Sequence, residues 1–115
     1  MQLETKAIHI GRGVDPSTGA VSIPLHTSTT FERGANGSFP SGLAYTRDGN
    51  PTRNAFEAAI AALEEGHTAI AFSSGMAAIT AVFEGHPGEG RIVVPDDMYF
   101  GIRSLIEETD IGRRF

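Results

Sequence analysis

The chain has no cysteine among its 115 residues and a single lysine, Lys6. Without cysteine there is no disulfide, no thiolate zinc site and no thiol nucleophile, a composition suited to a reducing compartment, and a cytoplasmic location is expected. Basic charge is also scarce, since nine Lys and Arg stand against fourteen Asp and Glu and leave a formal charge of −5. That speaks against a nucleic-acid partner and against an anionic membrane surface, and favours small-molecule partners. Apolar runs stay well below the ~18 residues of a spanning helix. Residues 1–6 carry an early acid with no apolar run behind it, unlike a secretion signal. With 40% hydrophobic and 20% charged residues the composition is that of a chain with a folded core, long enough for one small domain or the front part of a larger one.

Residues 1–44 carry Gly, Pro, Ser and Thr throughout and show no sustained period beyond a short helix expected near Thr5–Ile10. Such a segment reads as an extended arm, so Ile23, Leu25 and Phe31 are expected to pack on a neighbouring subunit or on the rest of the domain. From Pro51 the pattern changes: Phe56, Ala59, Ile60 and Leu63 fall at i, i+3, i+4 and i+7, the spacing of one helical face. Pro51 suits the first turn and Gly66 the stop. Thr68–Phe72 and Arg91–Val94 read as buried strands, Gly75 to about Phe83 as a second helix, and Ile102, Leu105 and Ile106 as the face of a third. A further strand is due at the Arg113–Phe115 end. This alternation implies crossover connections and the start of a mainly parallel sheet with flanking helices, an α/β architecture. The organisation expected is an arm and inter-subunit segment over residues 1–50, then the first part of a larger domain over residues 51–115.

Two segments offer independent ways to hold one phosphate. Ser73-Ser74-Gly75-Met76 follows an apolar run and opens an alanine-rich helix. The first turn of a helix has free N–H groups and a dipole favouring an anion by ~0.3–1 kcal/mol. The same residues also suit an ordinary N-cap, with Ser73 or Ser74 as the cap and Gly75 only making the turn. Tyr45 and Arg47, at i and i+2 of an extended segment, fall on one side and can converge on one target. A guanidinium donates two parallel bonds to phosphate, which an ammonium cannot copy; the plain alternative is a surface arginine beside a half-buried tyrosine. Tyr99 follows Pro95-Asp96-Asp97-Met98 just past the second strand, where ligands of parallel sheets collect and a ring can stack on a planar cofactor. It reads equally as a packing aromatic, with Asp96 or Asp97 capping the next helix. His9, His26, His67 and His86 lack ligand spacing, and no metal site is expected.

Together these residues resemble the pyridoxal-phosphate enzymes of cysteine and methionine metabolism, the transsulfuration family. The resemblance runs from Ala7-Ile8-His9-Ile10-Gly11 through Asp15-Pro16-Ser17-Thr18-Gly19-Ala20-Val21 and Ser28-Thr29-Thr30-Phe31 to Tyr45-Thr46-Arg47 and Asn50-Pro51-Thr52-Arg53. Ser74-Gly75-Met76-Ala77-Ala78 and Asp96-Asp97-Met98-Tyr99 complete it. It implies the N-terminal part of an aspartate-aminotransferase-like, fold type I transferase that uses pyridoxal 5'-phosphate. Ser74 and the amides of Gly75 and Met76 would bind the cofactor phosphate, and Tyr45 and Arg47 would reach it from the adjacent subunit of a dimer. Tyr99 would stack on the ring and assist proton movement. The family is typically built as a dimer of dimers and acts on small amino-acid substrates.

The activity implied is γ-replacement or γ-elimination, of the cystathionine γ-synthase or γ-lyase type, with methionine γ-lyase, cystathionine β-lyase and O-acylhomoserine sulfhydrylase chemistry as alternatives. Phe100 and Ile102 depart from the small or polar residues common after the tyrosine, and Gly85–Gly90 from a more leucine-rich helix end. The family's ring-nitrogen aspartate, Schiff-base lysine and substrate-carboxylate arginine have no counterpart here, and Lys6, in the arm, is a poor substitute. The chain is therefore expected to be a segment of a longer enzyme without catalysis of its own. The rival expectation is a non-catalytic truncated product, or a phosphate-binding or interaction module.

Overall fold

The computed structural model describes residues 1–115, which divide into two compact units, Met1–Ala71 and Phe72–Phe115. In the first, α1 spans Leu3–His9 and α2 spans Pro51–Leu63, and the two helices pack on each other. Glu4 lies in the first turn of α1 and Lys6 and His9 in the last, which complements the helix dipole. The chain leaves α1 through Gly11, whose φ of +75° is left-handed. A Cβ there would lie 2.3 Å from the carbonyl oxygen of Ala55, so only glycine lets this turn lie against the backbone of α2. Lys6 reaches across to the carbonyl of Ala62 at 3.5 Å and to Glu65 at 3.4 Å.

Helix α2 begins where the sequence pattern places it, with Pro51 in the first turn, but it stops differently. Glu65, not Gly66, takes the left-handed conformation, at φ +54°. The amide of Gly66 then donates to the carbonyl of Ala61 at 2.8 Å, closing the helix end in the manner of a Schellman turn. The expected apolar stripe is only partly covered: Ala59 and Leu63 are half-buried, whereas Ile60 is exposed and Phe56 is 58% exposed, and the one buried residue of the helix, Ala61, lies off the stripe. In the arm, Ile23 and Phe31 are half-buried and Leu25 lies exposed.

At the start of α2, Asn50 is the one buried polar residue and all of its side-chain atoms are engaged. Its Oδ1 accepts from the amide of Thr52 at 2.9 Å, the geometry of an N-cap. Its Nδ2 donates to the carbonyl of His26 at 3.0 Å and to the Thr46 hydroxyl at 2.8 Å. The Thr52 hydroxyl accepts from the amide of His26 at 2.9 Å and donates to the carbonyl of Pro24 at 3.3 Å. Arm, turn and helix are thereby stitched together at one point.

The second unit contains α3, Gly75–Gly85, and α4, Phe100–Glu108, followed by a 3₁₀ turn over Gly112–Arg114. Phe83 and Ile111 form its buried apolar centre. The Phe115 ring lies 6.1 Å from that of Phe83 and 5.4 Å from His86, and Arg114 pairs with Glu84 at 3.2 Å. At the Arg113–Phe115 end, where a further strand is due, the chain forms a helical turn folded back on the end of α3. No helix of either unit is long and apolar enough to cross a membrane.

Within these 115 residues the runs expected as strands, Thr68–Phe72 and Arg91–Val94, form no ladder, and the one β-type pairing is an isolated antiparallel bridge between Thr30 and Tyr45. A strand exists only through its partner, and β-forming composition alone does not supply one. Ile70 and Val93 accordingly stand 70% and 92% exposed, and the amide of Ala71 donates to Glu57 at 2.8 Å instead of to a neighbouring strand.

Between Asp15 and Ala20 the arm closes on itself. The Asp15 carboxylate accepts from the Thr18 hydroxyl at 2.7 Å and from the Ser17 amide and hydroxyl at 3.0 and 2.8 Å. These bonds, that of Thr18 foremost, hold the Asp15 carboxyl below the ordinary aspartate range. Because the folded pKa is the lower one, the ordering they provide is present above the ordinary aspartate pKa and is lost as pH falls through the lowered value. Thr18→Val is expected to move the Asp15 titration upward, read by carboxylate NMR, and an unchanged titration would show that Thr18 is not the main cause. Asn50→Ala is expected to lower unfolding stability by about 1–3 kcal/mol in urea titration, since it removes a cap and two donors. Asn50→Asp, which keeps the cap and loses the donors, should fall between the two.

Candidate functional site

Tyr45 and Arg47 lie in the first unit, at the exit from the isolated bridge. The amide of Phe31 donates to the carbonyl of Ala44 at 3.2 Å, and the amide of Thr46 to that of Thr29 at 2.9 Å. This short pairing holds Tyr45 extended. The chain then turns, with the amides of Asp48 and Gly49 both donating to the carbonyl of Tyr45 at 3.0 Å. The Arg47 guanidinium carbon lies 5.1 Å from the centre of the Tyr45 ring, so the two side chains do come together. Such a stack keeps a guanidinium planar over a ring while its N–H edge stays available. Arg47 makes no ion pair, although six others occur in the chain.

Ser74, Gly75, Met76 and Tyr99 lie in the second unit. Ser74 caps α3, with φ −156° and its hydroxyl accepting from the amide of Ala77 at 3.1 Å, while its carbonyl accepts from Ala78 at 3.1 Å. The capping alternative is therefore realised, yet it leaves the amides of Gly75 and Met76 without a protein partner, at the positive end of an eleven-residue helix. Nothing lies within 4 Å of where a Cβ of Gly75 would stand, so an anion can approach the main chain there.

Asp96 and Asp97 do not cap α4. Its N-cap is Tyr99, which makes no side-chain capping bond, and Asp96 instead pairs with Arg103 at 3.7 Å. The Tyr99 ring is 68% exposed and lies over the first turn of α4. A Cβ on Gly101 would meet Tyr99 Cε1 at 2.9 Å and Met76 Sδ at 3.0 Å, so ring, thioether and helix backbone converge at this glycine. The second unit thus brings together Met76 and Tyr99, at the open N-terminus of α3.

Three residues with structural roles at these clusters escaped the sequence reading of the site. Arg53 directs its guanidinium at the turn that carries Arg47, Asn50 binds Thr46 in the same turn, and Gly101 makes room for the Tyr99 ring. A signal existed for Arg53, because a cation in the first turn of a helix opposes the dipole and implies a specific acceptor. No group of three or more acidic, histidine or cysteine side chains gathers closely enough to hold a metal ion.

In the second unit unpaired amides at a helix N-terminus and an exposed ring near the Met76 side chain, and in the first unit an arginine without an ion pair close to a tyrosine ring, are each groups that suit a phosphorylated planar cofactor. Residues 4–111 match the Cys/Met metabolism PLP-dependent enzymes, and the chain belongs to that family, which uses pyridoxal 5'-phosphate. Among curated relatives, cystathionine gamma-synthase of Mycobacterium tuberculosis is 48% identical over 106 residues, 90% of this chain and 27% of that protein. Cystathionine beta-lyase of Lactococcus lactis subsp. cremoris is 42% identical over 106 residues, 92% of this chain and 28% of that protein. Among solved structures, cystathionine gamma-lyase from Lactobacillus plantarum, complexed with L-serine, superposes with a TM-score of 0.79 at 43% identity. That match covers 93% of this chain and 28% of the other. The chain thus spans a little over a quarter of the length of these relatives, and over that span it shares the fold of type I PLP-dependent enzymes.

Ser74→Ala is expected to destabilise α3 by about 0.5–2 kcal/mol, measured by denaturant titration, with Ser74→Thr retaining most of the cap. Loss below that range would mean that the Ser74 hydroxyl is not the cap in solution.

Proposed function

We propose that the protein carrying this chain catalyses γ-replacement or γ-elimination on a small sulfur amino acid, as the names of its relatives suggest. The observation that carries the reading is the pair of unpartnered amides at Gly75 and Met76, with the Met76 thioether and the Tyr99 ring converging at Gly101. Those amides and the helix dipole would neutralise the cofactor phosphate, with Ser74 holding the turn open. Arg47 would add two parallel donors and Tyr45 a phenol, reaching the phosphate from the adjacent subunit of a dimer, itself half of a tetramer. When bound, pyridoxal phosphate supplies an electron-withdrawing ring into which charge from a substrate carbon spreads. Tyr99 would keep that ring in place by stacking and hold or move a proton at its phenol oxygen near the leaving group. In this reading residues 1–50 form the inter-subunit arm and residues 51–115 open the cofactor domain, with Thr68–Phe72 and Arg91–Val94 as strands of its parallel sheet.

A second reading, phosphate binding without catalysis by these 115 residues, draws on Lys6. The chain's one lysine is held by Glu65 and the carbonyl of Ala62, neither of which has a part in the proposed cofactor site. The protein titrated with pyridoxal phosphate, followed by borohydride reduction and peptide mass spectrometry, separates the two readings. Cofactor trapped on a lysine other than Lys6, with turnover of a sulfur amino acid, supports the enzyme. Reversible binding without trapping or turnover supports the second reading.

Gly101→Ala tests the role of Tyr99. A helical Gly→Ala exchange should leave stability unchanged or raise it by up to about 1 kcal/mol. Yet it would push the Tyr99 ring off its seat, so turnover should fall markedly with little change in cofactor affinity. Unchanged turnover would count against Tyr99.

A further inference from the structure

Arg53 occupies the third position of α2, where the free amides of the helix end repel a cation. Its guanidinium nevertheless lies there, because three successive carbonyls turn their negative ends towards it. Nη1 donates to Thr46 at 3.3 Å and to Arg47 at 3.0 Å, and Nη2 donates to Asp48 at 2.9 Å. Nε faces Glu57 Oε1 at 3.6 Å, and that same oxygen accepts the amide of Ala71. These three residues form the turn that carries the side chain of Arg47.

We propose that Arg53 is a positioning residue for the Tyr45–Arg47 phosphate clamp, holding the turn backbone so that the Arg47 guanidinium stays stacked on Tyr45 with its outer edge free. The inference rests on the reading that Tyr45 and Arg47 hold the cofactor phosphate. Arg53 is committed to the turn, with both Nη1 donors and one Nη2 donor spent on its carbonyls and Nε facing Glu57. The Glu57 carboxylate and the carbonyl dipoles offset the charge of Arg53, while the Arg47 guanidinium makes no ion pair and keeps its donors for a ligand. Lysine is no substitute at Arg53, since a single ammonium nitrogen cannot spread fixed donors across three carbonyls and a carboxylate.

Asn50 holds the same turn from the other side through the Thr46 hydroxyl at 2.8 Å. The amides of Asp48 and Gly49, which close the turn on Tyr45, report directly on its order.

The test uses the cofactor-loaded protein and its resolved apo form with Arg53→Met, Arg53→Lys and Arg47→Met. Pyridoxal phosphate affinity is measured by titration of the apo protein, and backbone order by hydrogen exchange at Asp48 and Gly49. Arg53→Met is expected to raise the cofactor Kd by about tenfold and to speed exchange at those two amides by a similar factor, with kcat at saturating cofactor changed less than about threefold. Arg53→Lys should recover only part of both effects. Arg47→Met should raise Kd about as much or more without speeding exchange at Asp48 and Gly49. If Arg47→Met weakens binding while both Arg53 variants bind and exchange like the wild type, the positioning role is overturned. If Arg47→Met leaves Kd unchanged, the clamp reading itself fails. Should Arg53→Met not fold, Arg53→Lys decides: wild-type affinity and exchange in that variant overturn the proposal, and a parallel loss of both supports it.

Discussion

The polar order of the first unit depends on the N-terminus of α2, where Asn50, Thr52 and Arg53 bind backbone groups from three stretches of chain. A helix start has free amides and must find acceptors for them, and here the residues that provide the cap also reach outward. Asn50 caps with its oxygen and donates with its nitrogen; Thr52 joins the arm at Pro24 and His26; Arg53 faces the carbonyls of Thr46, Arg47 and Asp48. Each of these bonds is worth little alone, but they share partners, so the loss of one weakens its neighbours. The conformation of the turn at Arg47 is thus set by a helix that follows it in the chain.

This dependence on hydrogen bonds follows from how little apolar surface either unit buries. Ala61, Phe83 and Ile111 are the buried hydrophobic residues, and no side chain is fully enclosed. At ~25 cal/mol per Å² of apolar area, so thin a core stabilises far less than an ordinary domain interior. Phe56 on α2 and Val82 on α3 present apolar surface outward, alongside the unpaired runs that carry Ile70 and Val93.

Much of the helical architecture could be read directly from the residues. The Phe56–Ala59–Ile60–Leu63 spacing, Pro51 at a helix start and Ser74 before an alanine-rich run mark α2 and α3, because periodicity, proline geometry and capping act within a few residues. The end of α2 escaped that reading, since Glu65 adopts a conformation normally left to glycine. The pairing of the expected strands was not legible for another reason: Thr68–Phe72 and Arg91–Val94 have the right composition, but a ladder depends on a partner far away in the chain. Of the candidate site, Tyr45 with Arg47 and Ser74 with Gly75 and Met76 were visible as local groups, and Tyr99 on its own. Arg53, Asn50 and Gly101 were not, because their roles rest on acceptors and rings brought to them by folding.

The positions of the helices follow from residue types at fixed local spacing, and the family and its phosphorylated cofactor from the resemblance those motifs carry, none of which needs knowledge of what lies across the fold. Folding adds the contacts between distant residues: Arg47 stacked on Tyr45, the Met76 thioether and the Tyr99 ring converging at Gly101, and the guanidinium of Arg53 against three carbonyls. A donor in the sequence does not name its acceptor, since the direction of a side chain depends on the backbone around it and on the neighbours that folding supplies.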